Sequence, residues 1–238
     1  MRWVSQTGST NDDLVAAAKA GEPEQALIAD LQTSGRGRRD RSWIAPPESS
    51  LLMSFLLRGV DPAQAFWTIG AFALGVADAL NAEAPVNRCQ LKWPNDLLMG
   101  NKKVAGILAQ AVDDAMVVGI GINVNWPTQR PEGIPDTATA YNHELAEPGQ
   151  PVVVDRRALL NLIGAGIERH LETAPSDLRR TWIDQCATIG QRVRVEIAQG
   201  PDLVGTAVDV ERSGALVVDD GAKTHAVHVG DVIHLRSS

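Results

Sequence analysis

Up to about residue 187, short apolar runs alternate with longer runs of helical period, and the two kinds predict different elements. Ser9 or Thr10 reads as a helix N-cap, with Asn11, Asp12 and Asp13 in the first turn; residues 14–20 are alanine-rich, and Gly21 closes the helix. Residues 26–30 and 50–57 are short and apolar, which predicts buried strands. Between them, residues 32–47 form a Gly/Arg/Ser/Pro segment of unusual length, and such a loop in a compact domain is functional or disordered. Residues 62–82 predict a long core helix, and 90–93 a strand stopped by Pro94. Residues 96–110 predict a hairpin with its tip at Gly100 and Asn101, followed by a strand over 116–124. Residues 126–151 are polar and proline-rich, with room for one short helix. Helical periodicity returns over 155–171, and 176–185 adds a second helix.

From about Thr188 the texture changes. β-branched runs at 192–197, 203–210, 215–218, 225–228 and 232–235 are separated by Gly and Asp, the pattern of a small five-stranded barrel. The expected fold class is therefore α+β: a larger domain over residues 1–187, then a small all-β domain over 188–238. The sequence holds no internal repeat and no low-complexity tract.

Charge narrows the partners. The 238 residues carry a net charge of −7, which lacks the positive footprint of a general nucleic-acid binder. Anionic ligands then need a local concentration of cations, and Arg36, Arg38, Arg39 and Arg41 supply one, with only Asp40 opposing them. Cys89 and Cys186 sit in no ligand spacing, so two buried, reduced thiols are expected. No run reaches the roughly 20 apolar residues of a membrane span, and the N-terminus has no apolar stretch of signal length. A cytoplasmic location without membrane contact is expected.

Three segments carry chemistry. In Thr33–Trp43, Gly35 and Gly37 allow close backbone approach, the guanidiniums suit bidentate contacts to phosphate or carboxylate, and Trp43 offers a face for stacking. Alone, this string also fits a solvated basic loop or an RNA-binding arginine tract, and it lacks the Lys-Ser/Thr end of a phosphate loop. In the second, Lys92-Trp93-Pro94-Asn95-Asp96 precedes Lys103-Val104-Ala105-Gly106-Ile107-Leu108, which sets a carboxylate near a cation across the predicted hairpin. A plain turn with exposed lysines fits equally well. In the third, Gly119-Ile120-Gly121-Ile122-Asn123-Val124-Asn125, glycines inside a strand mark close approach of a ligand or another backbone, and Asn123 can both donate to and accept from an adenine edge. A glycine-containing core strand is the plainer alternative.

In combination these segments resemble the biotin–protein ligases, whose pattern is Ser-Thr-Asn near the start, then GRGRRGRxW, KWPND, KxxGIL and GxGxN. Here Ser9-Thr10-Asn11, GRGRRDRSW, KWPND, KVAGIL and GIGIN stand in that order, and the resemblance runs through the C-terminal Gly230-Asp231-Val232-Ile233-His234-Leu235-Arg236. Two positions depart: Asp40 stands where the family usually has glycine, and Gln110 where a glutamate often follows GIL. Lipoate ligases and octanoyltransferases are the nearest alternative, but their RRxSGGGxVxH segment is missing.

The resemblance implies a mixed β-sheet flanked by helices, of the class II synthetase-like kind, followed by the small barrel. It implies activation of biotin by ATP and transfer to a lysine of a biotin carboxyl carrier domain. Lys103 and Arg38 would be catalytic. Ser9, Thr10, Asn11, Gln32, Gly35, Arg36, Arg38, Lys103, Gly106 and Gly119 would bind biotin. Arg38, Arg39, Arg41, Trp43, Asn95, Asp96, Lys103, Asn123 and Asn125 would bind ATP, with Asp96 also toward Mg2+. Some family members carry an N-terminal DNA-binding winged helix. Eight residues precede Ser9, too few for one, so a ligase without DNA binding is expected, as a monomer or a homodimer.

Overall fold

In a computed structural model the described residues are 1–39, 41–82, 88–145, 152–197 and 201–235. The first element is one that the hydrophobic pattern does not announce. Strand β1 (Arg2–Thr7) pairs in parallel with β2 (Gln25–Gln32). As an edge strand it has a single neighbour and no fully buried side chain, so its residues carry no apolar run. Helix α1 (Thr10–Lys19) follows: Ser9 is extended at φ −156° and its hydroxyl accepts from the Asp12 N–H. It caps the helix as its type predicts.

Strands β3 (Ser50–Arg58), β4 (Gln90–Lys92), β5 (Asp96–Met99), β6 (Lys102–Val112) and β7 (Ala115–Asn123) complete a seven-stranded mixed sheet of order β1-β2-β3-β7-β6-β5-β4. Alternation along the strands sorts side chains to two faces. Leu27, Leu56 and Val117 pack with Leu14 and Ala18 of α1. Their neighbours Ile28, Phe55 and Val118 face the main core with α2 (Ala65–Asn81). A 3-10 turn at Pro62–Gln64, capped by Asp61, leads into α2. The stretch Pro62–Asn81 is apolar enough to cross a membrane by length and composition, yet Phe72, Leu74 and Leu80 lie buried in this core.

A short helix α3 (Tyr141–Leu145) occupies the polar segment expected to hold one. Helices α4 (Arg156–Leu171) and α5 (Pro175–Asp184) back α2. Gly75 and Gly166 make the crossing of α2 and α4 close: a Cβ on Gly75 would stand 2.6 Å from the backbone N of Ile167.

Five further strands, β8 (Arg192–Glu196), β9 (Leu203–Val210), β10 (Leu216–Asp219), β11 (Thr224–Val227) and β12 (Asp231–His234), form an antiparallel sheet of order β11-β10-β9-β8-β12. Among the described residues no ladder joins the edge strands β11 and β12, so a closed barrel is not seen. The two sheets share one apolar core, in which Val193, Ala207 and Leu216 join Leu91 and Trp93. Polar ties reinforce the junction: the Trp93 indole N–H donates to Gly214 O at 3.0 Å, and that of Trp67 to Arg212 O at 2.7 Å.

Candidate active site

One cavity of about 1040 Å³ opens between the two sheets. At one end the N-terminus of α1 meets β2, β3 and β7, and a chain of neutral hydrogen bonds lines the wall. Gln32 Oε1 accepts from the Thr10 backbone N–H at 2.7 Å and lies 2.9 Å from its hydroxyl. The Thr10 and Ser54 hydroxyls are 2.7 Å apart, and Ser54 donates to Asn11 Oδ1 at 2.6 Å. Asn11 Nδ2 in turn donates to Gln110 Oε1 at 3.2 Å and to Leu108 O at 3.3 Å. A Cβ on Gly119 would collide with the Asn11 amide, so this approach demands glycine. Thr10, Asn11 and Ser54 are buried. Buried hydrogen-bond networks of this kind hold a fixed geometry.

Farther along, the wall becomes cationic. Lys103 Nζ lies 2.5 Å from Asp96 Oδ1. Arg38 Nη1 donates to Asn95 Oδ1 at 3.0 Å, and its Nη2 to Gly230 O at 3.3 Å. Asn95 is itself fixed, donating to Ile107 O at 2.8 Å. Burial lowers the Arg38 pKa; Asp231 and Asp96 oppose that shift, while Arg39 and Arg41 add to it. The guanidinium stays charged, since arginine keeps its proton in proteins. Asp231, at the start of β12, gathers the loop arginines: Arg39 at 3.2 Å, Arg38 at 3.7 Å, and Arg41 in close contact. Arg36 pairs instead with Asp12 at 3.0 Å.

The loop that carries these arginines is folded back on itself. Gly37 N–H donates to Arg41 O at 2.7 Å, and Trp43 N–H to Gly35 O at 2.9 Å. Trp43 lays its ring against Gly106 of β6 and Gly121 of β7. A Cβ at Gly121 would stand 2.6 Å from its ring and one at Gly106 3.2 Å, so both glycines make room for the indole. Lys103 Nζ sits 5.6 Å from the ring centroid, within cation–π range. The indole N–H is buried without a partner among the described residues. Asn123 is buried beside the same wall, and its Nδ2 donates to Thr139 O at 3.0 Å.

Of the residues singled out from sequence, Ser9, Thr10, Asn11, Gln32, Arg36, Arg38, Arg41, Trp43, Asn95, Asp96, Lys103, Gly106, Gly119 and Asn123 line the cavity. Gly35, Arg39 and Asn125 do not. Gly35 packs under Trp43, whose carbonyl oxygen would be 2.6 Å from an added Cβ. Arg39 turns to Asp231 and Glu196 O. Asn125 spends its amide on the Val154 backbone, donating to its O and accepting from its N–H at 2.9 Å each. Asp40, the departure in the arginine loop, lies outside the described residues. Sequence reasoning missed Ser54, Lys92, Asp231 and His234, which also line the cavity. Ser54 had a signal, a polar residue inside an apolar strand; Asp231 and His234 lay in the C-terminal segment of the resemblance but carried no assigned role, because their place depends on how the second sheet docks.

A mixed sheet backed by helices, with a neutral hydrogen-bonding pocket running into a cationic wall, defines a ligase of the carboxylate-activating class. The chain belongs to the biotin/lipoate A/B protein ligase family, whose description matches residues 4–126, while that of the biotin protein ligase C-terminal domain matches 188–235. It is 40% identical, over 98% of its length and 88% of the relative's, to the biotin–[acetyl-CoA-carboxylase] ligase of Mycobacterium tuberculosis. Over 96% of its length and 71% of the relative's it is 28% identical to the bifunctional ligase/repressor BirA of Bacillus subtilis. Its fold superposes with a TM-score of 0.80 on the biotin protein ligase from Aquifex aeolicus in complex with biotin and ATP, at 27% identity over 99% of this chain and 98% of that one.

Proposed function

We infer that the chain is an ATP-dependent biotin–protein ligase with residues 1–187 as its catalytic domain and 188–238 as a small second domain, which contributes Asp231 and His234 to the cavity. The observation that carries this is the continuity of one cavity from the Thr10–Gln32–Ser54–Asn11 network to the Arg38–Lys103 wall. The network offers donors and acceptors to a cyclic urea, with Ser9 and Gly119 beside it and Gly106 farther along, next to Lys103 and Trp43. The cationic wall receives a carboxylate and a triphosphate together.

In the first step a biotin carboxylate oxygen attacks the α-phosphorus of ATP, the bond to the β-phosphate oxygen breaks, and pyrophosphate leaves. Both reactants are anionic, so the protein contributes positive charge placed where negative charge converges. Lys103 and Arg38 flank that junction. Trp43 and Asn123 frame the adenine, and Arg36, Arg39 and Arg41 supply the field around the phosphates. In the second step a lysine amine of a biotin carboxyl carrier domain attacks the acyl carbon of the mixed anhydride. The acyl C–O bond breaks, AMP leaves, and the amine gives up a proton to solvent.

Asp96 fits a magnesium ion brought in with ATP. Mg2+ is usually held by one or two carboxylates and the substrate phosphates, and Asp96 faces the cavity at the cationic wall. Magnesium would supply neutralisation of the leaving pyrophosphate. Cys89 and Cys186 are free and buried, and burial pushes the Cys89 thiol up to about 12. Such unreactive reduced thiols suit the cytoplasm.

The test is incubation with ATP and labelled biotin or lipoate, followed by separation of the adenylates. Biotinyl-adenylate alone is expected. Lipoyl-adenylate alone overturns the substrate, and neither product overturns the activity.

A further inference from the structure

Lys92 is a cation for which the mechanism above has no use. It ends β4, in register with Asp96 of β5, and lines the cavity. Its backbone is clamped from the other side as well. Leu91 N–H donates to Gln185 O at 3.0 Å and Ala187 N–H to Leu91 O at 2.8 Å, while Trp93 N–H donates to Thr188 Oγ1 at 3.2 Å. The lysine stem therefore leaves a rigid base.

Among the described residues the Lys92 ammonium makes no hydrogen bond and no ion pair. Asp96, its register partner, is taken by Lys103 at 2.5 Å, and Asp231 is shared by Arg38, Arg39 and Arg41. Burial lowers the Lys92 pKa, and Lys103 lowers it further against the pull of Asp96 and Asp231. His234, also lining the cavity, has its pKa lowered by burial and by Lys92, and its ring nitrogen lies 3.1 Å from Thr188 Oγ1. A partly buried ammonium without a counter-ion is costly, and an incoming anion offsets that cost. The cavity wall thus sets Lys92, Lys103, Arg38 and Arg41 against the carboxylates of Asp96 and Asp231, an excess of positive charge that one biotin carboxylate does not balance.

We propose that Lys92 is a further substrate-binding residue, holding the pyrophosphate portion of the nucleotide: the β- and γ-phosphates before reaction, and the leaving pyrophosphate after the α–β bond breaks. The proposal rests on the adenylating reading of the site. Lys103 and Arg38 serve the carboxylate and α-phosphate. Lys92 is the cation of the same wall not already committed to a protein carboxylate, and it is set back toward Asp231 and His234 of the second sheet.

The experiment compares wild type, Lys92→Met and Lys92→Arg. Calorimetry measures binding of inorganic pyrophosphate and of biotinyl-5′-AMP, which lacks the β- and γ-phosphates. Kinetics measures the pyrophosphate half-saturation for conversion of biotinyl-5′-AMP back to ATP and biotin. A charge-assisted contact predicts that Lys92→Met weakens pyrophosphate by about 10-fold or more. Biotinyl-5′-AMP affinity should stay within about twofold, and Lys92→Arg should retain most pyrophosphate binding. Unchanged pyrophosphate binding overturns the proposal, and so does a parallel loss of biotinyl-5′-AMP, which marks a structural role. If wild type forms no biotinyl-adenylate, the reading of the reaction falls, while direct pyrophosphate binding still decides Lys92.

Discussion

Lys103 Nζ lies 2.5 Å from Asp96 Oδ1 across the β5–β6 hairpin. A register shift between Leu97 and Leu98 sets Asp96 opposite Gly106 and Leu98 opposite Lys103. The lysine side chain therefore reaches along the ladder to its carboxylate, and its head lies in the cavity wall.

In the mechanism proposed above, charge on Lys103 matters most as the bond to the α-phosphate forms. Lys103→Ala is expected to slow adenylate formation by about 100-fold or more, with a smaller effect on biotin affinity. Single-turnover release of labelled pyrophosphate, beside calorimetric biotin binding, checks the split. An unchanged rate excludes the role.

Asp231 ties the arginine loop to the second sheet. Ion pairs at exposed positions contribute about 0–1 kcal/mol, and Arg41 is largely exposed, so the pairs with better-covered Arg38 and Arg39 decide the effect. Asp231→Ala is expected to raise the KM for ATP about 3- to 10-fold, through lost order in the loop, and to leave biotin affinity within about twofold. A lowered KM would show that Asp231 competes with the phosphates.

Arg38 joins the loop to Asn95 of the first domain and to Gly230 beside the second sheet. Arg38→Gly removes both contacts and frees the loop backbone. A hydrogen bond to a charged group contributes about 1.5–3 kcal/mol, so the adenylate should leave about 10- to 150-fold faster. Incubation with ATP, biotin and a bystander protein without an acceptor domain should then label exposed lysines. Adenylate production without extra labelling would remove Arg38 from retention.

Gly121 tests the seat of Trp43. A Cβ there stands 2.6 Å from the ring, and the ring rests on backbone that cannot yield. Gly121→Ala should weaken ATP by about 10-fold or more while biotin binding persists, because displacing an aromatic stack costs on the order of 1–3 kcal/mol. Equal loss of both ligands would show a general distortion instead.

Gly75 tests the scaffold apart from the site. Gly75→Ala presses a methyl into the α4 backbone at Ile167. Overpacking of this kind costs about 1–3 kcal/mol, which lowers Tm by about 2–12 °C in a chain of this size. Thermal unfolding by circular dichroism measures it, and an unchanged Tm would mean that the helices separate freely.

Gln110 and Asn125 mark how far local reading reached. Gln110 stood out only as a departure from the resembled pattern; its amide oxygen completes the network by accepting from Asn11 at 3.2 Å. The resemblance assigns Asn125 to ATP beside Asn123, although the predicted strand stops at residue 124. Strand β7 ends at Asn123, however, so the alternation stops there, and Asn125 turns to Val154.

By itself the sequence determined what depends on neighbours a few residues apart: helix caps such as Ser9, apolar strands of period two, the β5–β6 hairpin, and the ordered segments that mark the family. It could not reveal β1, whose polar residues are held by one parallel neighbour rather than by burial. Tertiary structure alone decided the cationic wall's far side. Arg38 meets Gly230 across 192 positions of chain, and Asp231 reaches the loop only because β12 docks where Trp93 and Thr188 fix the second sheet. Such contacts follow from sheet order and docking, which no local period encodes, so Lys92 and Asp231 have a place in the family pattern but no assigned role until the two sheets share one core.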